Sequence, residues 1–88
     1  MLVKRLKEAR VRAGLTQYKL GLLAGMEETT SSARMNQYEK GKHQPDQATA
    51  SRIAQALGLP LAWFYAEEND LADAILRYWQ QCAAGTPE

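Results

Sequence analysis

The chain has 88 residues, 45% hydrophobic and 24% charged, with a formal net charge of +1. That length leaves no room for a second independent core, and the charge balance is that of a globular chain, not a disordered one. Its one cysteine, Cys82, cannot close an internal disulfide, and with His43 the only histidine no metal or cofactor site is expected. The longest apolar run, Leu61–Ala66, falls far short of the ~20 residues of a membrane span. No apolar stretch follows Lys4, Arg5 and Lys7 as a secretion signal requires, so the chain reads as cytoplasmic.

Short helices account for nearly all of it. Leu2, Leu6, Ala9 and Ala13 recur at steps of four, three and four, the spacing of one helix face, and Gly14 ends that helix. Thr16 is the N-cap of a second, with Leu20, Leu23 and Ala24 inward and Gly25 at its end. Lys19 stands where a capping box carries Glu or Gln, so the cap is partial. Met26–Ser32 is polar and aperiodic and reads mostly as a loop. Any of Thr29, Thr30, Ser31 and Ser32 can start the third helix, which runs through Met35 and Tyr38 to about Lys40 and stops at Gly41.

Asp46 caps a fourth helix, in which Ala50, Ile53, Ala54 and Leu57 share a face and Gly58 closes it. Pro60 suits the first turn of a short fifth, carrying Leu61, Trp63, Phe64 and Tyr65. Asn69 or Asp70 caps a sixth, with Leu71, Ile75, Tyr78 and Cys82 on one stripe and Trp79 beside it. The tail Gly85–Glu88 is expected to fray. No segment alternates with the period of a strand, and the fold class is all-α.

The net charge conceals a polarity. Residues 1–45 hold nine Lys/Arg against four acids, +5, and residues 46–88 hold Arg52 and Arg77 against six acids, −4. A basic half of this kind suits a polyanion-binding face.

Two helices joined at a glycine, the second polar outward, suggest a helix-turn-helix. Leu6–Arg10, Gly14-Leu15-Thr16-Gln17, Leu20, Gly25, the run Met35–Lys42, Pro45 and Ala54–Leu59 make the pattern specific. In these residues the chain closely resembles the Xre/Cro/C1-type helix-turn-helix family of phage and bacterial repressors. The resemblance implies a five-helix lambda-repressor-like domain over residues 1–66, and residues 67–88 read as an additional C-terminal helix and tail.

A recognition helix brings short polar side chains of its first turns to base edges. Ser31, Ser32, Arg34 and Gln37 have near-helical spacing for this. Gln37 can pair bidentately with adenine and Arg34 with guanine or a phosphate; Asn36, at the side of that face, can do either. Backbone N–H groups near Thr16 and Gln17, at the positive end of their helix, suit a phosphate oxygen. The resemblance implies that Gln17 contacts the DNA backbone and can brace a base-reading side chain. Lys19, Lys40 and Lys42 are expected to position the domain on phosphates. The resemblance also implies a structural ion pair between Arg10 and Glu39. A catalytic reading lacks parts, with no second histidine and no reactive surroundings for Cys82, so no enzyme is expected.

Three features depart from the family pattern. Gly21 stands where alanine is usual, which weakens the helix by ~1 kcal/mol. Ten positions separate Gly25 from Met35, about four more than the common pattern, so either the turn is longer or the third helix begins earlier. Finally, the chain continues past the fifth helix. There Leu71, Ile75, Tyr78 and Trp79 either enlarge the domain's own core or form a homodimer interface with aromatic anchors.

One domain spans only about half a turn of DNA, which favours two copies on a palindrome. The expected function is a sequence-specific, double-stranded DNA-binding transcriptional regulator, a repressor acting as a homodimer. The alternative is an antitoxin or adaptor of the same fold that works mainly through a protein partner.

Overall fold

A computed structural model describes residues 1–85. In chain order they form α1 (Val3–Arg12), α2 (Gln17–Leu23), α3 (Ser31–Glu39), α4 (Gln47–Leu57), a 3-10 helix (Leu61–Tyr65) and α5 (Asn69–Gly85), with no strand among them. The all-α expectation holds. The tail expected to fray lies, from residue 86 on, outside the described residues.

Leu6 and Ala9 of α1, Leu20 of α2 and Ala24 at its C-cap, Met35 of α3, Ile53 of α4 and Phe64 of the 3-10 helix meet in one core. Each large side chain buried there contributes about 1.5–3 kcal/mol. Trp63 stacks edge-on against Phe64, with ring centroids 4.9 Å apart.

Thr16 caps α2 without help from a capping box: its Oγ1 accepts the Lys19 N–H at 3.0 Å. Leu23 does not turn inward and is 52% exposed. Leu20, Gly21 and Ala24 form the buried arc of α2, and Leu23 lies about 110° of helical rotation from its centre. Arg52 of α4 closes the other end of α2, donating from Nε to the Ala24 carbonyl at 2.8 Å.

The extra residues between α2 and α3 lengthen the turn and leave α3 unextended, since α3 begins at Ser31. Met26, expected in a loop, is buried, and its N–H donates to the Gly21 carbonyl at 2.9 Å. Asp46 caps α4 through Oδ1, which accepts the Thr49 N–H at 2.9 Å, and Gly58 ends that helix with φ of 69°.

Pro60 occupies the N-cap position of the 3-10 helix, one residue before its first turn. Asn69 and Asp70 lie inside the first turn of α5 and not ahead of it, because the Ala72 N–H already donates to the Glu68 carbonyl at 3.0 Å. The inward side of α5 is Ala72, fully buried, with Ile75 and Leu76 packed at the edge of the core. Leu71, Tyr78 and Trp79 remain exposed. The helix is therefore rotated relative to the expected stripe: Ile75 turns toward the core, Leu76 joins it, and Leu71, Tyr78 and Cys82 face out.

Two cations of the basic half hold this arrangement. Arg5 is buried beneath Trp63, its guanidinium 5.4 Å from the ring. It donates to the Ala66 carbonyl at 2.8 and 3.1 Å and to the Glu68 carbonyl at 3.3 Å. Lys4 Nζ donates to the Glu67 carbonyl at 3.0 Å. Both tie α1 to the residues just ahead of α5.

Candidate nucleic-acid interface

Among the helices, α2 and α3 share the most extensive contact. They pack tightly at Gly21, where a Cβ would overlap Ser31 Oγ. Ser31 is fully buried and donates its hydroxyl to the Tyr18 carbonyl at 2.7 Å. This corrects the expectation that Ser31 faces DNA: its side chain is consumed in joining the two helices.

The remaining α3 side chains divide by rotation. Met35, Tyr38 and Glu39 turn inward; Ser32, Ala33, Arg34 and Gln37 are exposed, as is Lys40 at the C-cap, and Asn36 is half-buried. At 100° per residue, Ser32, Asn36 and Lys40 form one outward row and Ala33 and Gln37 the next. Arg34 lies at the side of this face, its Nη2 donating to the Tyr38 hydroxyl at 3.0 Å. Ala33 carries no polar group to mark it in the sequence, yet it sits within the outward face. Tyr18, on the first turn of α2, is a second exposed residue that sequence reasoning passed over.

A polar network runs beneath this face. Arg10 Nε and Nη2 donate to the two carboxylate oxygens of Glu39, and Arg10 Nη1 donates to the Leu15 carbonyl at 2.9 Å. Arg10 and Glu39 are thus brought together as the resemblance implied. Gln17 Nε2 lies 3.1 Å from Glu39 Oε1 and 3.2 Å from Asn36 Oδ1, linking the start of α2 to the middle of α3. Charge-assisted bonds of this kind, largely out of water, fix the side chains they join.

Around the rim, Lys19, Lys40 and Lys42 are exposed. Thr16 is exposed as well, and its hydroxyl keeps its hydrogen after accepting from Lys19. Asp46, at the N-cap of α4, has its carboxyl pulled below the ordinary range chiefly by hydrogen bonds from Thr49, with the Arg52 and Arg34 charges adding to this. On a different side lies an open groove of about 240 Å³, with walls that include Ala9, Ala13, Leu57, Trp63 and Leu76 and none from α2 or α3. Among the described residues no three His, Cys, Asp or Glu side chains converge as metal ligands.

A helix-turn-helix pair braced at its base, with one polar face outward and cations at its rim, defines a DNA-binding architecture. The helix-turn-helix family model matches residues 6–64, and the chain belongs to this Xre/lambda-repressor-like family of DNA-binding regulators. Among solved structures it is similar to the crystal structure of the transcriptional regulator BswR, at 42% identity and a TM-score of 0.81. That likeness covers 96% of this chain and 98% of the other, so it takes in α5 as well as the family region. A comparison with curated proteins finds no match. Among the described residues, no helix is long and apolar enough to cross a membrane.

Proposed function

We propose that the protein is a sequence-specific transcriptional repressor that lays the outward face of α3 in the major groove of double-stranded DNA. The observation that carries this is the exposed surface of Ser32, Ala33, Asn36 and Gln37 on a helix whose inward side is locked to α2. Gln37 and Asn36 reach base edges, and Arg34 reaches the flank of the site. Thr16, Lys19, Lys40 and Lys42 contact phosphates, which set register and supply most of the salt-dependent affinity.

The repressor acts as a homodimer. Leu71, Tyr78 and Trp79 are 49%, 69% and 37% exposed on a helix that docks to the core through Ala72, Ile75 and Leu76. An aromatic surface of this kind is suited to protein contact. The face falls outside the helix-turn-helix pair, so two domains can join through it while both α3 helices meet DNA. A heterologous protein partner at this face is the second reading, distinguished by a chain that stays monomeric alone.

The test is selection of bound duplexes from a random pool, followed by gel-shift titration at several salt concentrations. A recovered motif with two related half-sites, and binding that weakens steeply with salt, supports the proposal.

A further inference from the structure

We infer that Asn36 meets DNA as a hydrogen-bond donor, its amide oriented from Arg10 through Glu39 and Gln17, so that it selects acceptor atoms and does not pair bidentately with adenine. The inference rests on α3 being the DNA-facing helix.

The orientation follows from the chemistry of the first link. Glu39 receives two bonds from Arg10 and is a carboxylate, which only accepts. Gln17, 3.1 Å from Glu39 Oε1, must therefore turn its NH2 group toward it. That same nitrogen lies 3.2 Å from the Asn36 amide, which must present its oxygen in return. Inverting Gln17 would set oxygen against carboxylate; inverting Asn36 would set NH2 against NH2. Each alternative exchanges a hydrogen bond for a repulsion.

Two consequences follow. Both hydrogens of Gln17 Nε2 are committed inside the protein, so this side chain braces Asn36 and has no N–H left for a phosphate. Asn36 Nδ2, in contrast, has no hydrogen-bond partner among the described residues. No buried side-chain nitrogen or oxygen among the described residues lacks one, so Nδ2 lies at the accessible surface.

Recognition of adenine by asparagine needs Nδ2 on N7 and Oδ1 on the N6 amino group together. With Oδ1 turned in to Gln17, Asn36 offers Nδ2 alone. Its counterpart on DNA is an acceptor: a purine N7, guanine O6, thymine O4, or a phosphate oxygen.

Two measurements test this on the full chain. The first uses no DNA. In the 15N-labelled protein, the side-chain amide hydrogens of Gln17 should exchange with solvent about tenfold more slowly than those of Asn36. Faster exchange at Gln17 than at Asn36 would overturn the orientation.

The second uses the selected duplex, carrying at successive positions a base analogue that lacks one major-groove acceptor (a 7-deazapurine, 6-thioguanine or 4-thiothymine) or a single methylphosphonate. One such replacement should weaken wild-type binding about tenfold and leave Asn36→Ala unaffected. A base analogue with this effect identifies a base acceptor, and a methylphosphonate identifies a phosphate. A preference for adenine over guanine that disappears in Asn36→Ala, or no replacement with this effect, overturns the inference while leaving DNA binding intact. Failure of the wild type to select any duplex overturns the DNA reading itself, whatever the amide exchange shows.

Discussion

Ser31 Oγ fills the space that a Cβ on Gly21 would occupy, and from there donates to the Tyr18 carbonyl at 2.7 Å. The glycine that interrupts the expected pattern in α2 is therefore the partner of a serine at the start of α3. The helix-propensity cost of ~1 kcal/mol at Gly21 is the counterpart of a direct helix–helix contact.

Gly21→Ala should destabilise the fold by about 1–3 kcal/mol through overpacking, despite alanine's better helix propensity. In Gly21→Ala/Ser31→Gly the clash is relieved, and the double variant should be more stable than the sum of its single changes predicts. Urea denaturation of the three variants measures this. Strict additivity would contradict the contact.

Glu39→Ala should cost about 3–5 kcal/mol, because it leaves the Arg10 guanidinium largely buried without its carboxylate. The Arg10 and Glu39 side chains are only 14% and 4% exposed. By contrast, Glu8→Ala removes a surface pair with Arg12 and should change stability by less than about 1 kcal/mol. Denaturant midpoints compare the two directly.

Asp46 gives the acid limb of stability a defined sign. Its carboxyl is lowered by the Thr49 hydrogen bonds first and by the charges of Arg52 and Arg34 next. The stabilisation from its charge is therefore complete above the ordinary carboxylate value of about 3.9 and is lost as pH falls through its own lower value. Thermal unfolding of wild type and Asp46→Asn between neutral and acidic pH should show the wild type's advantage shrinking on acidification. An advantage that grows as pH falls would contradict the assignment.

The exposed side of α5 makes a prediction about assembly. Trp79→Ser with Tyr78→Ser should shift the chain toward monomer in sedimentation or light scattering while preserving the fold. A wild type that remains monomeric at high concentration would argue against the homodimer.

Much of this was legible in the sequence because glycines and caps punctuate it. Thr16, Asp46 and Gly58 mark helix ends by local chemistry, which depends little on the rest of the chain. Rotation about a helix axis was less legible. Leu23 and Leu71 have apolar side chains at plausible spacings, yet which side is covered depends on neighbouring helices. Ser31 and Arg5 show the same limit from the polar side. Their chemistry suits a DNA surface, but carbonyls at Tyr18 and Ala66, distant in sequence, take up their donors. The near-neutral total charge was also misleading in both directions. It hides a basic half, and within that half Lys4, Arg5 and Arg10 serve the fold.

Base reading and phosphate contact should separate by mutation. Gln37→Ala should relax preference at one base position by about 1–3 kcal/mol, and Lys42→Ala should weaken all duplexes alike and reduce the salt slope by about one. Titrations on cognate and mismatched duplexes at several salt concentrations distinguish the two.

The most direct measurement is in-vitro selection of double-stranded DNA by the full chain, repeated with Gln37→Ala. The account predicts a reproducible motif for the wild type, and for the variant a motif relaxed at the position facing Gln37. Failure to enrich any sequence at low salt would contradict it.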